Sequence, residues 1–127
     1  MGAWGYEPWE TDASADWFAK VLKGVDFDAI VTTIENFDPS DEGYYEPIRC
    51  AAFVLQKLGN PYIWRVKDDE DVGGLIEQTI VHLETMIDVD ETDICTFLDM
   101  WDEEPDITTS VQNQISELKL ARKNWKA

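Results

Sequence analysis

The stretch Glu46-Pro-Ile-Arg-Cys-Ala-Ala-Phe-Val-Leu-Gln-Lys-Leu-Gly59 decides the fold, because it has the pattern of a single helix with defined ends. Proline suits the first turn, where no amide donor is needed, and Gly59 is expected to close the helix in a left-handed conformation. Between Ile48 and Leu58 only Arg49, Gln56 and Lys57 are polar, which makes the helix apolar around most of its circumference. Such a helix is usually surrounded by others. We therefore predict a central helix over about residues 45–58.

Two helices are predicted on the N-terminal side of this central helix. The first covers roughly residues 13–23, is capped by Asp12 or Ser14, and has an inner face made of Trp17, Phe18, Val21 and Leu22. The second is capped by Asp26 and ends at Asp38-Pro39, with the helical spacing Phe27, Ile30, Val31, Ile34 and Phe37 on its inner face.

Three more helices are predicted after an irregular connection that begins at Asn60-Pro61. A fourth helix follows the acids at 68–71, and its inner stripe is Val72, Ile76, Ile80, Leu83 and Ile87. A fifth, capped by Asp90, has a narrow apolar seam of Ile94, Phe97, Leu98 and Trp101. The last covers about 107–124 beyond Pro105, with Ile107, Val111, Ile115 and Leu118 facing inward.

The predicted fold is therefore all-α, a compact bundle of about six helices in a single domain over residues 1–127. The N-terminal segment 1–9 has three aromatic residues between glycines and a proline, and no helical or strand period. We expect it to be irregular and packed on the central helix, because an unstructured tail seldom carries so much apolar surface.

The charge of the chain is strongly negative and unevenly distributed. Twenty-seven acids against ten bases give a net charge of −17, and residues 68–106 hold fifteen acids and no base. Such a field disfavours binding to nucleic acid or anionic membranes and favours basic partners. High solubility is the alternative explanation of the same charge.

The remaining composition indicates a soluble, cytoplasmic protein. No run approaches the roughly 18 apolar residues that a membrane span needs, and no secretory signal is visible. Cys50 and Cys95 both fall in apolar helical patterns, so we expect two buried thiols in preference to a disulfide. No cofactor is expected.

The N-terminal half resembles a bacterial domain family of unknown function. The resemblance rests on Met1-Gly-Ala-Trp-Gly5, on Trp9 and Asp12, and on Ala15-Asp16-Trp17-Phe18. Chains of that family begin Met-Gly-small-Trp-Gly and run into an acid-capped helix, and they tend to carry an alanine-rich helix ending in Gly-x-Pro, as at Gly59-Asn-Pro61. The chain departs from the pattern at Tyr6 and Pro8. The resemblance implies a small, single-domain bacterial protein and no established activity.

No catalytic or metal site stands out from the sequence. His82 is the sole histidine, and no residue three or four positions away is a carboxylate that could orient it, so a packed or half-exposed histidine is the preferred interpretation. Asp88–Asp99 has oxygen side chains at several calcium-loop positions, but Asp93 stands where the loop needs glycine. We predict no catalytic residue and no metal site.

The preferred function is non-catalytic binding of a basic protein by the acidic surface. The concrete version is an inhibitor or immunity-type protein for a cationic toxin or nuclease, since clustered carboxylates steer basic partners. The residues predicted to form this surface are Asp68, Asp69, Glu70, Asp71, Asp90, Asp99, Asp102 and Glu103.

Two further hypotheses remain open. Tyr62, Trp64 and Arg65 form a second candidate contact, because aromatics flanked by bases often lie at interfaces. The preferred interpretation of Tyr62 and Trp64 is nevertheless that they close over the end of the core. The second hypothesis is a small enzyme or ligand-binding domain, with a pocket beneath the N-terminal aromatic segment and His82 or Asp16 as its polar group.

Overall fold

The protein is all-α throughout the part of the chain that its computed structural model describes. That part comprises residues 26–59, 71–123 and 125, together with Ala13, Asp16, Trp17, Lys20, Val21 and Gly24. Five bounded helices lie in it: α1 (Phe27–Glu35), α2 (Tyr45–Leu58), α3 (Val72–Met86), α4 (Phe97–Met100) and α5 (Pro105–Arg122). Two 3₁₀ turns, Glu42–Tyr44 and Val89–Glu91, precede α2 and α4. The predicted all-α class is confirmed, whereas the count of six helices is not.

The first predicted helix is described only at scattered positions. Ala13, Asp16, Trp17, Lys20 and Val21 are helical, as expected. The predicted inner face is wrong for two of its members, because Trp17 is 59% and Val21 51% exposed. These residues are four apart and therefore share one helical face, which here points outward. Phe18, Leu22, both candidate caps and the aromatic segment 1–9 lie outside the described residues.

Helix α2 has the predicted bounds but different surroundings. Tyr45, Ile48, Ala51, Ala52 and Leu55 are buried, whereas Cys50 and Phe53 on the other side are exposed. A helix wrapped on most sides is therefore not confirmed, and the expectation that Cys50 is buried is wrong. Cys95 is buried, and both thiols are free. One side of α2 packs on α1, α3 and α5, and the opposite side is left for solvent.

The end of α2 requires glycine for a different reason from the predicted one. Gly59 has φ −75° and ψ 47°, which is not left-handed. Its amide donates to the Leu55 carbonyl at 2.7 Å, and a Cβ at this position would come within 2.1 Å of that carbonyl oxygen. Close backbone approach, rather than a positive φ, therefore excludes other residues here.

The core lies among α1, α2, α3 and α5, and α3 contributes the most buried side chains. Its predicted stripe is buried at Val72, Ile76, Ile80 and Leu83, and Ile87 lies half-buried just beyond its end. The four predicted inward residues of α5 are all buried as well. Asp26 caps α1 as expected by accepting from the Ala29 amide at 2.9 Å.

Helix α5 runs antiparallel to α3 and parallel to α2. Its C-terminal Arg122 pairs with Glu77 near the start of α3, and Ile87 at the end of α3 lies near Gln112. On the other side, Arg49 of α2 contacts Ser110, and the Trp125 indole donates to the Gly59 carbonyl. This arrangement defines two ends of the bundle, one at the start of α5 and one at its finish.

The predicted fifth helix is largely absent, and Asp90 does not cap it. Asp88 instead accepts from the Asp90 amide at 2.9 Å and starts the 3₁₀ turn Val89–Glu91. Short acidic side chains compete in this way with helical hydrogen bonds, which explains the break. Only α4 is helical; Phe97 and Leu98 are buried while Ile94 and Trp101 are exposed. The last helix begins at Pro105, two residues earlier than expected.

Candidate functional site

The predicted acidic surface is divided between the two ends of the bundle. Asp71 caps α3 by accepting from the Gly74 amide, and the adjacent Gly73 lies against Arg122 at the finish of α5. Asp99, Asp102 and Glu103 are exposed immediately before the start of α5. Helix α5 has 18 residues, so these groups are separated by roughly 27 Å of helix. Asp90 follows α3 and therefore belongs with the second group, whereas Asp68, Asp69 and Glu70 lie outside the described residues.

Residues 99–104, hereafter the acidic turn, form the most distinctive part of this end. The Glu103 amide donates to the Leu98 carbonyl at 2.9 Å, and the Asp102 amide donates to the Asp99 carbonyl at 3.1 Å. This pair of bonds is the Schellman arrangement that closes a helix, and it places Asp102 at the position where glycine is preferred. Asp102 has φ 52° and Glu103 has φ 56°, so two consecutive acids adopt left-handed backbone.

The acidic turn is held to the rest of the fold through Tyr45. The buried Tyr45 hydroxyl donates to the Pro39 carbonyl at 2.5 Å and accepts from the Thr96 amide at 2.9 Å. Thr96 is the residue that starts α4, and the Tyr45 ring packs edge-on against Phe97 at 5.6 Å. Burial is the main cause that raises the pKa of Tyr45, so the phenol stays protonated and keeps its donor. Tyr45 therefore fixes the position from which the acidic turn projects.

An apolar groove of 490 Å³ lies between α2, α4 and α5. Phe53 is 54% and Trp101 47% exposed, and both line it. The remaining lining residues are Glu46, Arg49, Cys50, Val54, Phe97 and Gln114. A concave, mainly apolar site with a few polar groups is the usual form of a ligand pocket. Trp101 belongs to both features, so the groove adjoins the acidic turn.

Arg49 is held in a defined position at the edge of this groove. Its Nε donates to Gln114 Oε1 at 2.8 Å, and its Nη2 donates to Ser110 Oγ at 2.7 Å. Gln114 Nε2 returns a bond to the Arg49 carbonyl at 3.0 Å. Burial lowers the pKa of Arg49, against a smaller opposing effect of Cys50. The guanidinium is partly desolvated, and no carboxylate of the described residues pairs with it.

The His82 side chain on α3 contacts the end of α1 and the ring of Phe37. One of its nitrogens, Nε2, lies 3.0 Å from the Ile34 carbonyl at the end of α1, and the ring lies 4.6 Å from that of Phe37. Burial lowers the pKa of His82, and the hydrogen bond to Ile34 opposes that shift. The half-buried, packed histidine preferred from the sequence is what the structure shows. Asp16, the other polar group considered for a pocket, is exposed.

His82 is expected to make stability depend on pH below neutrality. The pKa of His82 is depressed in the fold from its ordinary value of 6.5, so its contribution is complete above that pH and is lost as the pH falls further. Between pH 7 and pH 5 the urea midpoint of the native chain should therefore fall more than that of His82→Gln. Parallel midpoint profiles for the two proteins would contradict this assignment.

The second candidate contact, formed by Tyr62, Trp64 and Arg65, lies outside the described residues. Within the described ranges, no group of three or more His, Cys, Asp or Glu side chains is arranged to hold a metal ion. None of the helices described there is both long and apolar enough to cross a membrane.

The groove and its arginine were not predicted from the sequence. One signal was available, because Arg49 is the sole charged residue between Pro47 and Gln56, a run that is otherwise apolar. Its partners on α5 are more than 60 positions away in the chain, so only the packing of α2 on α5 brings them together.

The chain matches the model of a known family. A family model described as a domain of unknown function (DUF4259) matches residues 2–114. The expected membership in a family of unknown function is thereby confirmed, while the bacterial source and the characteristic opening motif stay predictions. No curated protein and no solved structure shows significant similarity to the chain.

Proposed function

This chain belongs to the DUF4259 family, whose function is unknown, and we propose that it is a non-catalytic acidic binding protein. Its partner is a basic protein, of which a cationic toxin or nuclease is the concrete case, and its place of action is the bacterial cytoplasm. The contact surface is the acidic turn, with Asp90 on the same end of the bundle. The net charge of −17 disfavours nucleic acid and anionic membranes as partners.

The observation that carries the proposal is the backbone conformation of Asp102 and Glu103. A left-handed backbone is unfavourable for residues other than glycine, by roughly 1–2 kcal/mol each and less for Asp. Glycine at these two positions would close α4 with less strain, so folding alone does not account for two acids there. Backbone strain that the fold does not require is a mark of functional sites.

The surroundings of the turn support binding rather than catalysis. Asp99, Asp102, Glu103 and Glu104 are exposed, and none of them forms an ion pair within the described residues. Unpaired surface carboxylates raise the rate of association with a cationic partner and fix its orientation. Trp101, half-exposed in the middle of them, offers a ring face over which a lysine or arginine can lie.

Replacing both Asp102 and Glu103 with glycine should change peptide affinity and the free energy of unfolding in opposite directions. Asp102→Gly/Glu103→Gly should raise the free energy of unfolding by about 1 kcal/mol, because glycine relieves the left-handed strain. The same variant should bind a lysine-rich 20-residue peptide about tenfold more weakly, since it loses two carboxylates at the contact surface. Fluorescence anisotropy with the labelled peptide at low salt measures the affinity, and urea unfolding measures the stability.

The matched control is Asp28→Asn/Glu117→Gln, which removes one aspartate and one glutamate charge from exposed positions on α1 and α5. Glu117 lies 12 residues beyond Pro105 on α5, or roughly 18 Å along the helix. This variant should bind the peptide nearly as well as the native chain. Equal weakening by both variants would show that the acidity acts as a general field, and would overturn the assignment of the acidic turn.

A further inference from the structure

Glu46 and Arg49 are oppositely charged and three residues apart on α2, yet they are not paired. Side chains at this spacing are neighbours on a helix surface, with Cβ atoms about 5–6 Å apart, and are within reach of an ion pair. Within the described part of the chain, the salt bridge present joins Arg122 to Glu77. Both Glu46 and Arg49 instead line the apolar groove.

Arg49 lines the groove, and its guanidinium has donors that no described residue uses. Arginine has five N–H donors, of which Arg49 uses one on Nε for Gln114 and one on Nη2 for Ser110. The Nη1 donors make no hydrogen bond to any described residue. Because the two α5 partners fix the plane of the guanidinium, its remaining donors are preorganised for a carboxylate.

The groove itself has the size and lining of a small-molecule site. Its volume of 490 Å³ falls in the range typical of ligand pockets. Phe53, Phe97 and Trp101 provide three aromatic surfaces, and Val54 adds an aliphatic one. A ligand for this site therefore has an apolar body that packs among these side chains.

We propose that the groove binds a free α-amino acid with an apolar side chain. The carboxylate of the ligand accepts from Arg49, its ammonium group faces Glu46, and its side chain lies among the aromatic residues. The ammonium and carboxylate groups of an α-amino acid are bonded to the same carbon. Their short separation suits two oppositely charged side chains that are neighbours on one face of a helix. A simple carboxylic acid would leave Glu46 facing a like charge, and a simple amine would leave Arg49 without an anion. The site does not depend on the proposed binding of a basic protein.

Amide-resolved NMR titrations of the full chain test the proposal with L-phenylalanine and two analogues, each of which lacks one of its charged groups. L-phenylalanine should give saturable shifts confined to α2, α4 and the neighbourhood of Gln114. It should bind about tenfold more tightly than 3-phenylpropionate, which lacks the ammonium group, or phenethylamine, which lacks the carboxylate, since a charge-assisted hydrogen bond is lost in each case. Absence of saturation, shifts elsewhere, or equal affinity for all three probes would overturn the proposal.

Two substitutions test whether Arg49 and Glu46 contact the charged groups of the ligand. Arg49→Lys keeps the positive charge but loses the fixed fork, and it should weaken binding of L-phenylalanine about tenfold. Glu46→Gln alters an exposed side chain that makes no hydrogen bond in the described structure, so it keeps the test valid if the Arg49 variant unfolds. It should weaken binding of L-phenylalanine but not of 3-phenylpropionate, and unchanged affinity for both would overturn the role of Glu46.

Matched controls separate this site from the acidic turn. Leu120→Ala removes an exposed side chain that is not part of the groove, and it should leave the affinity for L-phenylalanine unchanged. Asp102→Gly/Glu103→Gly should also retain that affinity while losing the basic peptide. Loss of amino-acid binding in Leu120→Ala would overturn the assignment to the groove.

Discussion

Leu83→Ala is expected to lower the free energy of unfolding by about 3 kcal/mol, the largest effect of any substitution considered for this protein. Leu83 lies on α3 and is 0% exposed. Truncating a buried leucine loses its transfer free energy and leaves a cavity, with a total cost in the range of roughly 2–5 kcal/mol. Leucine and alanine both favour helices, so helix propensity contributes little to the change. Urea unfolding followed by circular dichroism measures it.

The same substitution at Leu120 provides the control. Leu120 is on α5 and is 56% exposed, so it leaves no cavity when truncated. Its replacement by alanine should change the free energy of unfolding by less than about 0.5 kcal/mol. If Leu83→Ala cost no more than Leu120→Ala, the core around α3 would be loosely packed rather than close-packed, contrary to the fold described above.

Tyr45→Phe is expected to cost about 2 kcal/mol and to loosen the acidic turn. The substitution keeps the ring but removes the hydroxyl, which leaves the Pro39 carbonyl and the Thr96 amide without their partner. Because Thr96 begins α4, faster amide hydrogen exchange should appear at residues 96–103 before it appears in α3. Urea unfolding and exchange followed by NMR measure the two effects.

Tyr44→Phe is the matched comparison for this prediction. The neighbouring Tyr44 packs edge-on against Phe37 at 6.4 Å, and its hydroxyl makes no hydrogen bond within the described residues. Its loss should therefore change the free energy of unfolding by less than about 0.5 kcal/mol. A uniform increase in exchange over the whole bundle in Tyr45→Phe would argue that the hydroxyl supports global stability without any particular effect on the turn.

The residues of the acidic turn could be predicted from the sequence, but their backbone conformation could not. Asp99, Asp102 and Glu103 were selected as contact residues from charge alone, and the structure adds that two of them occupy left-handed backbone. That conformation follows from how α4 ends against the start of α5. The sequence pattern predicted instead a longer helix capped by Asp90, in which Asp102 and Glu103 would have lain on an ordinary solvated face.

Much of the fold follows from local chemistry that can be read along the chain. The bounds of α2, the cap at Asp26 and the inward faces of α3 and α5 are set by apolar spacing, by short polar side chains and by proline. These interactions join residues within about four positions of each other. They depend mainly on neighbouring residues, and so the sequence by itself determined them.

The tertiary structure decided which apolar residues are covered and which polar groups meet. Cys50 and Phe53 were indistinguishable by pattern from Ala51 and Leu55, but α1, α3 and α5 cover only one side of α2. The periodicity of apolar residues predicts which face of a helix is apolar. The number and direction of the neighbouring helices decide how much of that face is buried. The bonds of Arg49 to α5 likewise exist only because α2 and α5 pack in parallel, a choice made by the summed burial of the whole core.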